Sequence, residues 1–269
     1  MNPSNQLDTI YYIKLPEDFS LSRNAMRIDP EIPLPVQKKA GDAPGTFKTE
    51  ELTQEQILAG ILTVLAYDKH NEHLDYYRSL LQKARPNIKR ELSEAAILKA
   101  KNEDYDIAEE MFSALRGLDP DDMTTVLNTA LFFDERANSY RRSGLNEDAD
   151  AYDSDALAYY KAAMDAEPAI PDAFFNAGFF YLKKYAYREA KDCFETYIAL
   201  TCDVSDDALG ENGIYKKERA QEIVDNIRNQ NMDDAHFKAA YDLISSGQEE
   251  KGLEEIKQFI KTNQKVWNA

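Results

Sequence analysis

The residues of this sequence that could carry out chemistry are few, and the first are histidines beside carboxylates. His70 and His73 lie three residues apart, near Asp68, Glu72 and Asp75. Imidazole nitrogens and carboxylate oxygens at such spacing can bind a divalent metal ion. A solvated turn between two helices explains the same residues without a metal, and we favour that interpretation. We therefore expect no metal and no other cofactor.

A run of aspartates, at Asp148, Asp150, Asp153 and Asp155, imitates a calcium-binding loop. Such a loop requires a glycine at its sixth position and a bidentate glutamate at its twelfth. No glycine occupies the sixth position here, and Tyr159 stands where the glutamate belongs. We interpret the run as a solvated acidic face of a helix.

Nucleophilic chemistry has no stronger support. Cys193 lies beside Phe194 on a helix that looks buried, and Cys202 lies beyond the end of that helix. Neither has a histidine nearby to act as the base that an activated thiol requires. The glycine-rich phosphate-binding motifs, the nucleophile-elbow serine and the paired-histidine zinc motif are also missing. We expect both cysteines to be structural and the chain not to be an enzyme.

Composition and charge exclude further classes of function. A chain of 269 residues forms one large domain or two ordinary ones. It carries 32 basic and 49 acidic residues, and 32 − 49 gives a net charge of −17, which excludes a general nucleic-acid binder and disfavours an anionic membrane surface. No apolar run approaches the ~20 residues of a membrane-spanning helix. Two cysteines and no signal sequence predict a cytoplasmic location, with a signal sequence already removed as the alternative.

Proline divides the chain, because six of the ten prolines fall within the first 50 residues. Proline fixes φ and lacks the backbone donor, so residues 1–51 are predicted to be extended. Within them we expect a short strand at 9–15 and a polyproline-II-like run at 32–35. The many apolar side chains of this segment predict that part of 9–36 packs on the remainder of the chain. A disordered leader is the alternative.

From residue 52 onward the pattern predicts one helix after another. Thr53 and Gln56 have the spacing of a capping box at the start of the first helix. No stretch after residue 50 shows the two-residue alternation of a strand. The predicted helices span 53–67, 73–84, 88–102, 104–116, 122–142, 146–166, 171–184, 187–200, 212–230, 233–246 and 248–262.

The helices also show an internal repeat, first visible in the 34 residues between Pro86 and Pro120. Its clearest copy, 171–200, pairs a helix carrying large residues and a central Gly178 with a helix carrying Ala190. These two small residues are expected to be buried where the helices cross. The order large–x–x–Ala–Gly–x–x–Tyr and then Ala–x–x–x–Phe resembles the tetratricopeptide repeat. The residues that carry the pattern in this copy are Phe174, Ala177, Gly178, Tyr181, Ala190, Phe194 and Tyr197.

The resemblance covers about 200 residues, strongly in three copies and weakly in two. The copy between Pro120 and Pro168 has 48 residues, and 48 − 34 leaves 14 extra residues that should lengthen both of its helices around Gly144. The weak copies cover 53–86 and 239–259. The resemblance implies an all-α, superhelical array of antiparallel helical hairpins, with repeats over 52–203. Residues 204–269 then supply a capping helix and a further degenerate repeat, which Trp267 indicates to be truncated; a tryptophan tucked under the last helix is the alternative.

The resemblance also implies a function, because arrays of this family bind protein segments in a concave groove lined by the first helix of each repeat. We therefore expect an adaptor or scaffold for a protein or peptide segment with apolar side chains. Its oligomeric state stays open. The alternative is a structural assembly component whose groove is filled by its own N-terminal segment.

Carried onto this sequence, the family pattern assigns concave positions to the first helices of three repeats. Asn128 and Asn176 match an asparagine that bonds the ligand backbone in the family, although each amide is as well suited to bond a neighbouring repeat. The candidate partner-binding residues are Leu127, Asn128, Leu131, Phe175, Asn176, Phe179 and Lys183. The other concave positions are Arg90, Ser93, Glu94, Ile97, Lys101, Thr124, Asp134, Glu135 and Asp172.

Overall fold

The computed structural model of this chain describes residues 6–15, 28–38, 52–245 and 247–262, and it is predominantly helical. The expected all-α class is confirmed at that level, and the predicted helices up to residue 201 match their observed bounds to within two residues. The elements are β1 Ile10–Ile13, β2 Leu34–Gln37, α1 Gln54–Tyr67, α2 Leu74–Ala84, α3 Ile88–Lys101, α4 Tyr105–Leu118, α5 Met123–Arg142, α6 Asn146–Met164, α7 Pro171–Lys183, α8 Tyr187–Thr201, α9 Asp206–Ser245 and α10 Glu249–Thr262. The chain divides into two compact units, Met1–Ala163 and Met164–Ala269.

The N-terminal region contains a sheet that the sequence did not predict. β1 falls inside the strand expected at 9–15, but β2 pairs with it antiparallel, with Tyr12 opposite Pro35. The polyproline-II prediction for 32–35 is therefore wrong from residue 34 onward. The amide of Lys38 donates to the Thr9 carbonyl at 2.9 Å. Because inter-strand bonds alternate along an antiparallel pair, Pro35 falls at a position that needs no donor.

This hairpin packs on α1. Leu34 and Val36 are fully buried in one core with α1 and α2. A Cβ on Gly60 would lie 2.4 Å from the Pro35 carbonyl oxygen, so only glycine permits this approach of α1 to β2. The Tyr77 hydroxyl donates to the Pro33 carbonyl at 2.6 Å. The strands thus cover an apolar face of α1 that would otherwise meet water.

The helices of the first unit are held by close crossings and by one buried arginine. The capping box of α1 forms as predicted, with Thr53 accepting from the Gln56 amide. α1 also packs on α4, which in turn pairs with α3. Arg136 of α5, with 5% of its side chain exposed, bonds Asp106 at 2.9 Å and Glu109 at 2.7 Å on α4. These bonds fix α5 beside α4 and thereby place the first-helix positions of two successive predicted repeats near one another.

The longer pair expected between Pro120 and Pro168 is present as α5 and α6. They have 20 and 19 residues, against 14 each for α3 and α4, and Gly144 between them has a φ of 79°. The ring of Phe133 stacks on that of Tyr159 at 5.6 Å. The aspartate run on α6 is not wholly solvated, because Asp153 is buried and Arg141 bonds it at 2.7 Å. The expectation of a solvated acidic face was wrong for that residue.

In the second unit, α7 pairs with α8 and α9 covers them. Gly178 and Ala190 are both buried, as expected, and a Cβ on Gly178 would lie 2.7 Å from the Phe194 ring. The two helices predicted at 212–230 and 233–246 are wrong, because α9 continues through the gap, which holds no glycine or proline. Its break lies earlier, at Gly210, with φ 65° and ψ 175°. Trp267 lies outside the described residues, as do the side chains at 239, 240 and 259.

Candidate groove between α3 and α5

A groove in the first unit, here the α3–α5 groove, opens between α3 and α5. Its polar end lies where both helices begin and has a volume of about 510 Å³. Five of its lining residues are concave positions assigned from the repeat pattern: Arg90, Ser93, Glu94, Thr124 and Asn128. The remaining lining residues are Pro86, Asn87, Lys89, Asp122 and Thr125.

The floor of this polar end is fixed by a bridge between helix starts. The Lys89 ammonium lies 2.7 Å from Asp119 Oδ2 and 3.0 Å from Asp122 Oδ2. Thr125 donates its hydroxyl proton to Asp122 at 2.5 Å. Burial acts to raise the pKa of Asp122, but the hydrogen bonds from Thr125 and Lys89 outweigh it and the pKa is lowered. Asp122 therefore stays ionised and holds the start of α5 against the start of α3.

The wall above the bridge offers exposed charge of both signs. Arg90 and Glu94, one helical turn apart on α3, have 72% and 73% of their side chains exposed, and their charged groups lie 4.0 Å apart. Such an exposed pair contributes little stability, so both groups can turn to other partners. Asn128 on α5 is half-buried at the same end. The polar end therefore presents a cation, an anion and an amide together.

Farther along both helices the same faces become apolar. Ile97 follows Arg90 by seven residues and Leu131 follows Thr124 by seven, a spacing that keeps each pair on one face of its helix. Ile97 and Leu131 are each 37% exposed. Leu127 is buried at 8%, so it supports the packing of α5. The α3–α5 groove thus runs from a polar end to an apolar stretch.

The other four candidate residues lie in the second unit. Phe175 is buried, with its ring 5.1 Å from Phe179 and 5.9 Å from Phe194. Lys216 of α9 places its ammonium 5.5 Å from the Phe175 ring. The core of this unit, rather than an open trough, surrounds that side chain. Its part in partner binding stays a prediction.

Of the two polar candidates in the second unit, Asn176 forms a hydrogen bond within its own helix and Lys183 is exposed. Asn176 donates to the Asp172 carbonyl of its own helix at 2.7 Å. Asp172 in turn bonds Lys216 at 2.8 Å, which ties α7 to α9. Leu127, Asn128 and Leu131 lie in the first unit, and Phe175, Asn176, Phe179 and Lys183 lie in the second.

Sequence reasoning missed two features of the first unit. The bridge from Lys89 to Asp119 and Asp122 joins residues about 30 positions apart in the sequence, so no local pattern predicts it. Glu110 was detectable, because it interrupts the apolar stripe of Ile107, Met111 and Ala114 on α4. An acidic residue within an apolar helix face indicates that its side chain lines a cavity, as Glu110 does.

No metal site emerges from the residues that the structure describes, since they hold no group of three or more histidine, cysteine, aspartate or glutamate side chains able to share an ion. His73 lies 3.4 Å from its neighbour Glu72, and Asn71 donates to Asp68 at 2.9 Å. The described helices include none of the length and apolarity that crossing a membrane requires.

Comparison with known proteins adds no relative. No protein-family model matches the sequence, and no curated protein matches it. The tetratricopeptide resemblance therefore stays a prediction that depends on the residues quoted above.

Proposed function

We propose that this chain is a protein-interaction adaptor that binds a partner segment in the α3–α5 groove. The observation that carries the proposal is a polar end of about 510 Å³ whose lining residues Arg90 and Thr124 are followed, seven residues later on the same helix faces, by Ile97 and Leu131, each 37% exposed. Apolar side chains at such exposure on two neighbouring helices are anchors for an amphipathic or extended segment. The exposed Arg90, Glu94 and the amide of Asn128 provide bonds to its polar groups.

The partner expected for this groove is a peptide segment with apolar side chains. A net charge of −17 favours a segment that is neutral or basic outside its apolar anchors, because like charges lower the rate of association. No catalytic step is part of the proposal. Leu127, which is buried, holds α5 in place, while Asn128 and Leu131 contact the segment.

The experiment is selection of peptides from an unbiased displayed library on the full chain, followed by photo-crosslinking of the selected peptide. A photoreactive amino acid at position 97 should capture the peptide, because Ile97 is exposed and shares a helix face with the groove residue Arg90. The matched control is position 98 on the same helix, where Leu98 is 59% exposed and lies about 100° around the helix axis from position 97. Equal capture from both positions would contradict binding in the groove.

The alternative, a structural assembly component, is favoured by the N-terminal hairpin. Leu34 and Val36 already bury the apolar face of α1, as a built-in segment of such a component would. The described residues that line the polar end of the groove, however, all lie between 86 and 128, so none of them belongs to the N-terminal hairpin. Under this alternative, no library peptide is enriched on the parent chain, but peptides are enriched after residues 1–51 are removed.

A further inference from the structure

A second cavity in the first unit combines an apolar wall with one carboxylate. It lies between the β-hairpin, α1 and α4 and has a volume of about 410 Å³. Leu62, Leu92, Ile107 and Met111 supply much of the wall, and Glu110 supplies the carboxylate. Pockets for small organic ligands span ~300–1,000 Å³ and combine such walls with a few polar groups.

The carboxylate of Glu110 has no counter-ion in this lining. No lysine or arginine contributes to the cavity, and in the described part of the chain Glu110 forms no ion pair. Burial alone raises the pKa of Glu110, which means that its ionised form is short of solvation. A cation that enters the cavity would restore that solvation.

The neighbouring acids of α4 differ in this respect. Arg136 bonds Asp106 and Glu109 at 2.9 and 2.7 Å, so one guanidinium serves both. Glu110 is the next residue along the helix and points to another face. The acids on one side of α4 therefore join α4 to α5 through ion pairs, whereas Glu110 takes no part in that contact.

Hydrogen-bond acceptors near the cavity match a primary ammonium group. Gln6, Thr9, Gln37 and Thr63 are the uncharged polar residues of the lining. The Thr63 hydroxyl donates to the Ala59 carbonyl at 3.1 Å, which leaves its lone pairs as acceptors. An ammonium carries three donors and no acceptor, so it needs more than one oxygen around it. The lining thus combines a carboxylate with uncharged side chains that carry oxygen atoms.

The net charge of the chain disfavours an anionic ligand in this cavity. The chain has a net charge of −17, and its field attracts cations and repels anions. The apolar wall requires that the cation be attached to a hydrocarbon body, since a bare inorganic cation would lose its hydration there without compensation. A cationic head on an apolar chain satisfies both features.

We propose that this cavity binds a primary ammonium group carried on an apolar chain, with Glu110 as its counter-ion and Leu62, Ile107 and Met111 around the chain. The ammonium belongs either to a free alkylamine or to a lysine side chain of an apolar peptide. The site is separate from the α3–α5 groove and does not depend on the adaptor function.

The test is titration calorimetry of the full chain with hexylamine at neutral pH. Hexylamine should bind, and hexanol, which has the same hydrocarbon body without the charge, should bind at least tenfold more weakly. Glu110→Gln should weaken hexylamine binding at least tenfold and leave hexanol binding unchanged. Glu218→Gln, an exposed and charge-matched change on α9, should alter neither affinity.

A second variant tests the apolar wall without endangering the fold. Ile107 is 44% exposed, so Ile107→Ser should leave the thermal unfolding of the chain intact and weaken hexylamine severalfold. A blocked peptide with one lysine among leucines identifies the source of the ammonium: displacement of hexylamine assigns a lysine side chain, and no displacement assigns a free amine. Absence of hexylamine binding to the parent chain, or equal affinity in the parent and Glu110→Gln chains, would overturn the proposal.

Discussion

Gly117 of α4 lies against the backbone of Leu65 of α1 so closely that a Cβ at position 117 would be 2.0 Å from the Leu65 carbonyl oxygen. The obstructing atom belongs to a helix backbone, which cannot turn aside as a side chain does. This crossing fixes α1, and with it the N-terminal hairpin, on α4. The sequence shows only a glycine near the end of a helix.

Gly117→Ala should therefore lower the free energy of unfolding, although alanine is the better helix former. Forced overpacking costs roughly 1–3 kcal/mol, and the backbone contact places this variant at the upper end of that range. Denaturant unfolding followed by circular dichroism measures the loss. Lys83→Ala, an exposed change on α2, is the control and should have no effect beyond about 0.5 kcal/mol. Unaltered stability of Gly117→Ala would show that α1 and α4 do not cross there.

Glu110 should give the chain a distinct pH dependence. Burial raises the pKa of its carboxyl above the ordinary value of 4.5, so the folded state holds the proton more tightly than the unfolded state does. The free energy of unfolding then falls as the pH rises from about 4.5 through the folded-state pKa. The negative charge of Glu110 also acts on Tyr67. Burial together with the carboxylates of Glu110, Glu109 and Asp106 raises the pKa of Tyr67 to about 12.

The corresponding experiment compares thermal unfolding of the parent and Glu110→Gln chains between pH 4 and pH 8. The variant should melt at a higher temperature at pH 7, because it carries no charge to desolvate, and the difference should shrink toward pH 4. Glu218→Gln provides the control, with the same loss of one charge at an exposed site. A Glu110→Gln chain that melts below the parent at pH 7 would show that the carboxylate is stabilising.

Phe175 should behave as a core residue of the second unit. Its ring contacts Phe179, Phe194 and Tyr197 at 5.1, 5.9 and 5.1 Å between centroids, and truncation would leave a cavity. Phe175→Ala should cost about 3–5 kcal/mol. Tyr187→Ala removes an aromatic ring that is 45% exposed on α8 and should cost far less. Similar losses for the two variants would indicate that the Phe175 ring is accessible in solution.

The two cysteines should differ sharply in reactivity. Burial, followed by Asp192 and Glu189, raises the pKa of the Cys193 thiol to about 11. At pH 8 its thiolate fraction is then on the order of one in a thousand. Cys202 is exposed, so a disulfide reagent should modify it first. Reaction of the Cys202→Ser chain as fast as that of the Cys193→Ser chain would contradict the burial of Cys193.

Much of the helical architecture follows from local rules. Thr53 and Gln56 cap α1, and Gly144 with φ 79° ends α5, because capping and glycine conformations depend on adjacent residues. Strand β2 could not be placed in this way, since its register depends on Tyr12 and its neighbours more than twenty residues away. Local pattern also could not decide whether the break within residues 206–245 falls at Gly210 or at residues 231–232.

The candidate groove was predictable only in part. The tetratricopeptide resemblance assigned Arg90, Glu94 and Asn128 to concave positions, and all three line the polar end of the α3–α5 groove. It could not show that Phe175 is buried, because the covering helix α9 follows about forty residues later along the chain. Long-range contacts of this kind decide which apolar residues of a helix pair face solvent.

The affinity of a library-selected peptide for paired variants tests the account most directly. Ile97→Ser/Leu131→Ser removes both half-exposed anchors of the groove, whereas Leu98→Ser/Leu145→Ser removes two side chains that are 59% and 49% exposed elsewhere in the same unit. Fluorescence anisotropy should show at least tenfold weaker binding to the first variant, equivalent to about 1.4 kcal/mol, and an unchanged affinity for the second. Equal weakening in both variants, or none in either, would contradict recognition of a partner segment by the α3–α5 groove.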